Sequence, residues 1–310
     1  MKYIIVSYVT MLTKVYKGKY FSKANRKSKL KVIAFDLDET LGSFTDLHVL
    51  WNAICEFDPN HTILITELLD LFPEFIRYGI LPILQLLYHK KRENVLHKIY
   101  IYTNNQCQPS WTTMISNYLT SKIIGGPASE PLFDQIICAF KIDDKVIEVA
   151  RTCHAKTHED FIRCTMLPRI TEVCFVDNTY YPAMSANRIY YIQPLSYFHS
   201  LSNTDMIERF THSEIGLRVC KTPVLASLFS SFMITEFYKH GSGSSLSNYT
   251  DNVEKRRRDI LVAQKIMYHI QEFLYCPTTR RPISPTKKTY TSSSSSSHHC
   301  KTKKLRIHRF

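Results

Sequence analysis

The chain has 310 residues, 44% of them hydrophobic and 22% charged, with a formal net charge of +13. That length holds one α/β domain of roughly 200–250 residues plus appendages, with core enough to need no staples, and the nine cysteines, an odd set without a Cys-x-x-Cys pair, argue against a disulfide framework or a zinc knuckle. The charge is unevenly placed: residues 1–31 and 276–310 each carry nine Lys/Arg and no Asp/Glu, which leaves the middle at −5, so attraction to polyanions is expected of the ends and not of the folded body.

Residues 1–30 read as a basic leader. Met1 to Leu12 is apolar, but lysines follow where a signal peptide would carry small residues, and no run of eighteen apolar residues occurs, so no membrane span is expected. A reducing interior, cytoplasmic or nuclear, is the expected compartment. Residues 13–31 look basic and turn-like, and Lys31 to Phe35 is the first strand. Between it and the second, Lys98–Tyr102, lies an inserted helical segment. Its helical spacing runs over Asn52–Leu71 and Leu81–His89, broken at Pro59, Pro73 and Pro82; its part at about 43–80 is a possible small cap, and the stretch from Pro82 is the crossover helix.

A helix over Trp111–Lys122 is followed by a turn at Gly125-Gly-Pro127, a strand over Phe133–Phe140, a turn at Lys141–Asp144, and a helix over His158–Thr165. Val173–Val176 is the third buried strand and Ile189–Gln193 a fourth, parallel one. This alternation predicts an α/β domain over 31–200 built on a doubly wound, mainly parallel sheet. Residues 201–275 read as a helical extension with a linker at about 241–250, where Gly241-Ser-Gly243 lacks the preceding strand and the closing Lys-Ser/Thr of a phosphate loop. A late helix starts at Asp251 and aligns Val262, Met267, Ile270 and Leu274. The Ser-rich basic tail 276–310 is too polar to bury a core.

Three of these strands end on chemistry-bearing residues: Asp36-Leu-Asp38-Glu-Thr40 after Val32–Phe35, Thr103-Asn104 after Ile99–Tyr102, and Asp177-Asn178 after Val173–Val176. Parallel strands would gather all three at one carboxyl edge. Asp36 and Asp38, two apart, project to one side if the chain stays extended, and paired carboxylates repel unless a proton or cation intervenes. Mg²⁺, with oxygen ligands at about 2.0–2.1 Å and few protein carboxylates, meets that need, Asp177 being the second carboxylate ligand. The set suits phosphoryl transfer: one carboxylate attacks phosphorus, a second with a raised pKa protonates the leaving oxygen, and Thr103 with a lysine holds the remaining phosphate oxygens. Cys153-His154, His158 and Cys164 match no zinc-finger spacing.

Asp36-Leu-Asp38-Glu-Thr40-Leu41 resembles the nucleophile motif of the haloacid dehalogenase superfamily in its Asp-x-Asp-x-Thr phosphatase form. With Val176-Asp177-Asn178 it is similar to the RNA polymerase C-terminal-domain, or NLI-interacting-factor-like, phosphatases, over roughly residues 30–200. The resemblance implies a Rossmann-like core, Mg²⁺ held by Asp36, Asp177 and the backbone carbonyl of Asp38, a phospho-aspartyl intermediate on Asp36, and acid/base work by Asp38. It also implies a phosphate-binding set of Thr40, Thr103, Asn104 and a lysine. Lys141, Lys145 and Lys156 are the choices; Lys156 is preferred because Lys156-Thr-His-Glu-Asp looks like the lysine-led helix start that precedes the last motif. Thr179-Tyr-Tyr-Pro182 departs from the family's Ser-Pro after Asp-Asn.

The expected substrate is a phosphorylated protein (Ser/Thr) or another phosphomonoester. The alternatives are a polynucleotide or nucleotide phosphatase, and a catalytically inactive binding scaffold. Nucleic acid or an acidic partner is expected, if at all, at the basic tails.

Overall fold

The computed structural model describes residues 12–22, 30–125, 131–240 and 252–275. The apolar opening to Met11, the linker 241–250, the helix start at Asp251 and the tail 276–310 lie outside the described residues. The chain is α/β. Its centre is a six-stranded sheet in the order β1 (Thr13–Lys17), β8 (Ile189–Pro194), β7 (Glu172–Val176), β2 (Lys31–Phe35), β3 (Lys98–Tyr102) and β4 (Gln135–Ile137). All neighbours run parallel except the edge pair β1 and β8. A separate two-stranded hairpin joins β5 (Lys141–Ile142) to β6 (Lys145–Val146) through Asp143 and Asp144, both in the left-handed region.

The middle strands are buried on both faces, which is why Val-Ile-Ala-Phe and Glu-Val-Cys-Phe-Val read as continuous apolar runs instead of alternating ones. One face carries Ile33, Phe35, Ile99, Ile101 and Val176 and packs against most of the helices. These are α1 (Thr45–Phe57), α2 (Ile65–Leu71), α3 (Ile80–Arg92), α4 (Pro109–Ile124), α6 (Asn203–Thr211), α7 (Glu214–Cys220), α8 (Pro223–Lys239) and α9 (Asn252–Tyr275). The other face, with Val32, Ala34, Tyr100, Tyr102, Phe175 and Tyr191, is covered by α5 (His158–Thr165) and a short turn at Pro182–Met184. No single helix among the described residues is long and apolar enough to cross a membrane.

Two sequence expectations are corrected. The basic stretch 13–31 is not all turn: Thr13–Lys17 forms the antiparallel edge strand, its lysines blunting an otherwise open edge while Val15 packs inward. The strand expected over Phe133–Phe140 shrinks to Gln135–Ile137. The Asp134 carboxylate accepts the Ile99 N–H at 2.8 Å, in place of a backbone carbonyl, and Phe140 already bonds Ile147 across the base of the hairpin.

The inserted segment is drawn into the core instead of standing apart. Leu47, Leu50 and Ile54 of α1 and Leu68 and Leu69 of α2 are fully buried in the thick helical layer. Its entry and exit are stitched together: Ser43 N–H bonds the Phe75 carbonyl at 2.8 Å, and Arg77 N–H bonds the Leu41 carbonyl at 3.0 Å. Gly42 is required at this seam, because a Cβ there would overlap the Phe44 ring and the Phe75 carbonyl.

Candidate active site

The central strand β2 has β3 on one side and β7 on the other: the chain runs from β2 outward to β3 and β4, then returns to β7 and continues outward to β8, so the strand order reverses between β2 and β7, where sheets of this kind place a site at the carboxyl edge. Phe35 is in register with both Ile101 and Val176. Asp36 and Asp177 therefore reach the edge at the same level, with Thr103 one residue beyond it, and each is fixed by one more ladder bond. Asp36 N–H bonds the Val176 carbonyl at 2.9 Å, Asp177 N–H the Ile192 carbonyl at 3.1 Å, and Thr103 N–H the Ile137 carbonyl at 3.0 Å.

Asp36 and Asp177 meet on one cation. Lys156 Nζ donates to Asp36 Oδ1 at 2.5 Å and to Asp177 Oδ2 at 2.7 Å, with the lysine 1% exposed. Lys156 is held there from behind. It directly precedes Thr157, whose hydroxyl accepts the Asp160 N–H and caps α5, and Thr157 N–H donates to the Tyr102 hydroxyl. Burial pulls the Lys156 ammonium toward neutrality, but the charges of Asp177 and Asp36 more than offset it and hold the lysine protonated. Asp177 is pushed up to about 7 by burial, against the pull of Lys156 and with Asp36 adding to the rise. Two acids share one base, and the excess negative charge calls for a proton or a second cation.

Asp38 sits partly exposed beside them and accepts a 2.7 Å hydrogen bond from Asn105 Nδ2. Burial pushes its carboxyl up to about 6 against the lowering effect of that bond, and the Asp36 charge adds to the rise. The loop turns sharply here, with Glu39 in the left-handed region and Leu41 N–H bonded back to the Leu37 carbonyl.

The phosphate-binding residues expected from sequence divide into two groups. Thr103, 1% exposed, accepts the Asn105 N–H at its hydroxyl oxygen and so keeps the hydroxyl hydrogen to give. Asn104, in the same loop, donates to the Tyr181 hydroxyl at 3.1 Å and accepts from Arg151 at 2.7 Å. Thr40 lies elsewhere: it is fully buried, its hydroxyl donating to Asn178 Oδ1 at 2.9 Å and accepting the Asn178 N–H at 3.1 Å. It ties the first carboxylate loop to the last and does not open onto the crevice. Lys141 and Lys145 belong to the β5–β6 hairpin, and of the three lysines only Lys156 touches the carboxylates.

Arg77, Asn105, Arg151 and Tyr181 were not singled out from sequence. Arg77, 3% exposed, donates to the Thr40 carbonyl at 2.6 Å, to the Glu39 carbonyl, and to the Leu195 carbonyl at 2.9 Å, so the insertion clamps the Asp36–Thr40 loop. The Tyr181 ring lies 5.3 Å from Lys156 Nζ. The only advance signal for any of them was the unusual Tyr180-Tyr181 pair after Asp177-Asn178.

Among the described residues no group of three or more His, Cys, Asp or Glu side chains is arranged to hold a metal ion. The oxygens brought together at this edge are nonetheless hard ones, the carboxylates of Asp36 and Asp177, both bonded to the Lys156 ammonium. Asp177 Oδ1 already accepts the Thr179 N–H at 2.8 Å, while Asp36 Oδ2 has no protein partner among the described residues. Two carboxylates suit Mg²⁺, which keeps several of its waters, better than zinc or a soft metal.

No family model, no curated protein and no solved structure matches the chain.

Proposed function

We propose that the chain is a Mg²⁺-dependent phosphomonoester hydrolase of the haloacid dehalogenase type, with a Rossmann-like core and a phosphorylated protein as its substrate. The observation that carries the reading is the meeting of Asp36 and Asp177, from neighbouring strand tips, on the Lys156 ammonium at 2.5 and 2.7 Å, with Asp38 alongside.

In this reading an Asp36 carboxylate oxygen attacks phosphorus, the bond from phosphorus to the leaving oxygen breaks, and Asp38 gives that oxygen its proton. Asp38 then takes a proton from water as the water attacks the phospho-aspartate, releasing phosphate and restoring Asp36. Thr103 and Lys156 hold the spectator oxygens, a preorganised positive field worth roughly a hundredfold or more per donor. Mg²⁺, bound by Asp36, Asp177 and the Asp38 carbonyl, would supply charge neutralisation on the phosphate. A protein substrate is favoured because α1 and α2 spend their apolar faces on the core instead of forming a separate cap that could enclose a small molecule.

A second reading, an inactive scaffold, is favoured by one detail: Lys156 bridges the two carboxylates, giving each one hydrogen bond from its ammonium. Hydrolysis of p-nitrophenyl phosphate decides between them. The expected result is turnover that needs Mg²⁺, is lost with EDTA and falls to background in Asp36→Asn; a wild-type rate no higher than that of Asp36→Asn refutes the enzyme reading.

A further inference from the structure

We infer that Arg151 is the positioning residue of the phosphate seat, holding the Thr103–Asn104 loop and the segment leading into Lys156 at a fixed separation. This rests on the phosphatase reading and deepens it. Arg151 is 2% exposed and lies between the β5–β6 hairpin and α5. Its Nη1 donates to the carbonyls of Thr103 at 3.0 Å and Cys138 at 2.8 Å. Its Nη2 donates to Asn104 Oδ1 at 2.7 Å and to the His154 carbonyl at 2.9 Å. One planar group thus joins three stretches of chain that follow β3, follow β4 and precede α5, while its face rests 5.0 Å from the Tyr102 ring centre.

Two features set this group apart from an ordinary structural arginine. All of these acceptors are neutral, and no carboxylate lies within ion-pair distance of it among the described residues, so a full positive charge is buried without a counter-ion. Its Nε is buried with no partner at all. Keeping a charge out of water in this way is costly unless an anion shares the site, and the seat beside Asn104 and Lys156 is where a phosphate would lie. A lysine could supply the charge but not the rigid fork that reaches several acceptors at once. Loss of the fork therefore loosens Asn104, the Thr103 carbonyl and the segment leading into Lys156, whereas Asp36, Asp177 and the Thr103 N–H keep their places through the sheet ladder.

The test uses the full chain with Mg²⁺ and inorganic phosphate as the probe. Phosphate affinity by calorimetry, melting temperature and the KM for p-nitrophenyl phosphate are compared for wild type, Arg151→Lys, Arg151→Gln and Asn104→Ala, with Leu69→Ala, in the opposite helical layer, as a destabilised control. Phosphate affinity should fall at least tenfold and KM rise in both Arg151 variants, lysine giving no rescue, while Leu69→Ala melts earlier with unchanged affinity. An affinity within twofold of wild type in Arg151→Lys, or no phosphate binding by the wild type, overturns the inference. If the Arg151 variants do not fold, Asn104→Ala decides, an affinity within twofold of wild type again overturning it. Phosphate binding without turnover refutes the hydrolase reading alone and leaves the Arg151 inference to the measured affinities.

Discussion

On one face of the sheet Ile33, Phe35, Ile99, Ile101 and Val176 meet a deep helical layer drawn from both before β3 and after β8; on the other, Val32, Ala34, Tyr100, Tyr102 and Phe175 meet the eight-residue α5. The thick layer supplies most of the buried apolar residues, and its main link to the site is Arg77 on the Asp36–Thr40 loop. The thin layer supplies little area, yet Lys156 and Arg151 both sit just ahead of its helix. Bulk stability and site alignment are thus carried by different sides of one sheet, and a local change on the thin side should be felt first by the site.

Variants can break this division. The largest effect is expected of Lys156→Met, which leaves the buried Asp36 and Asp177 without their cation: about 3–5 kcal/mol of stability by urea unfolding, and loss of turnover. Next come two phenylalanines compared directly, each fully buried. Phe229→Ala, in the thick layer, and Phe161→Ala, packed edge-on to Tyr100 in the thin one, should each cost about 3–5 kcal/mol. Only Phe161→Ala should lower kcat per folded molecule; equal kcat losses would erase the distinction. Asp38→Asn should leave unfolding nearly unchanged and lower kcat by about 10²–10⁴, as expected for removal of a general acid. The smallest effect belongs to Thr157→Ala, where loss of the cap bond to Asp160 should cost about 1 kcal/mol and shift kcat modestly through Lys156.

Much of the sheet could be read in advance because its central strands are buried on both faces and announce themselves as unbroken apolar runs ending in Asp36, Thr103 or Asp177. The edge strand Thr13–Lys17 escaped notice because lysines on an edge strand leave the same trace as a basic loop. Thr40 carried a motif position, but its bond to Asn178 depends on a strand more than a hundred residues later. Arg77 and Arg151 left no pattern, since their partners are mostly backbone carbonyls, which every residue type possesses. Lys156 is preferred over Lys141 and Lys145 by sequence for its place at a helix start, and its approach to both carboxylates agrees with that choice.

The seam where Ser43 and Arg77 bond Phe75 and Leu41 has a consequence for how this chain can vary. Because the excursion from the Asp36–Thr40 loop departs and returns through touching backbone, the entropy of closing it is borne at the seam and grows only slowly with the number of residues beyond. Lengthening, shortening or exchanging the far part of that excursion is then decoupled from the spacing of Asp36 and Asp38. What such an exchange must retain is small: a glycine at 42 and an arginine at 77, the two residues that anchor the root of the excursion to the Asp36–Thr40 loop.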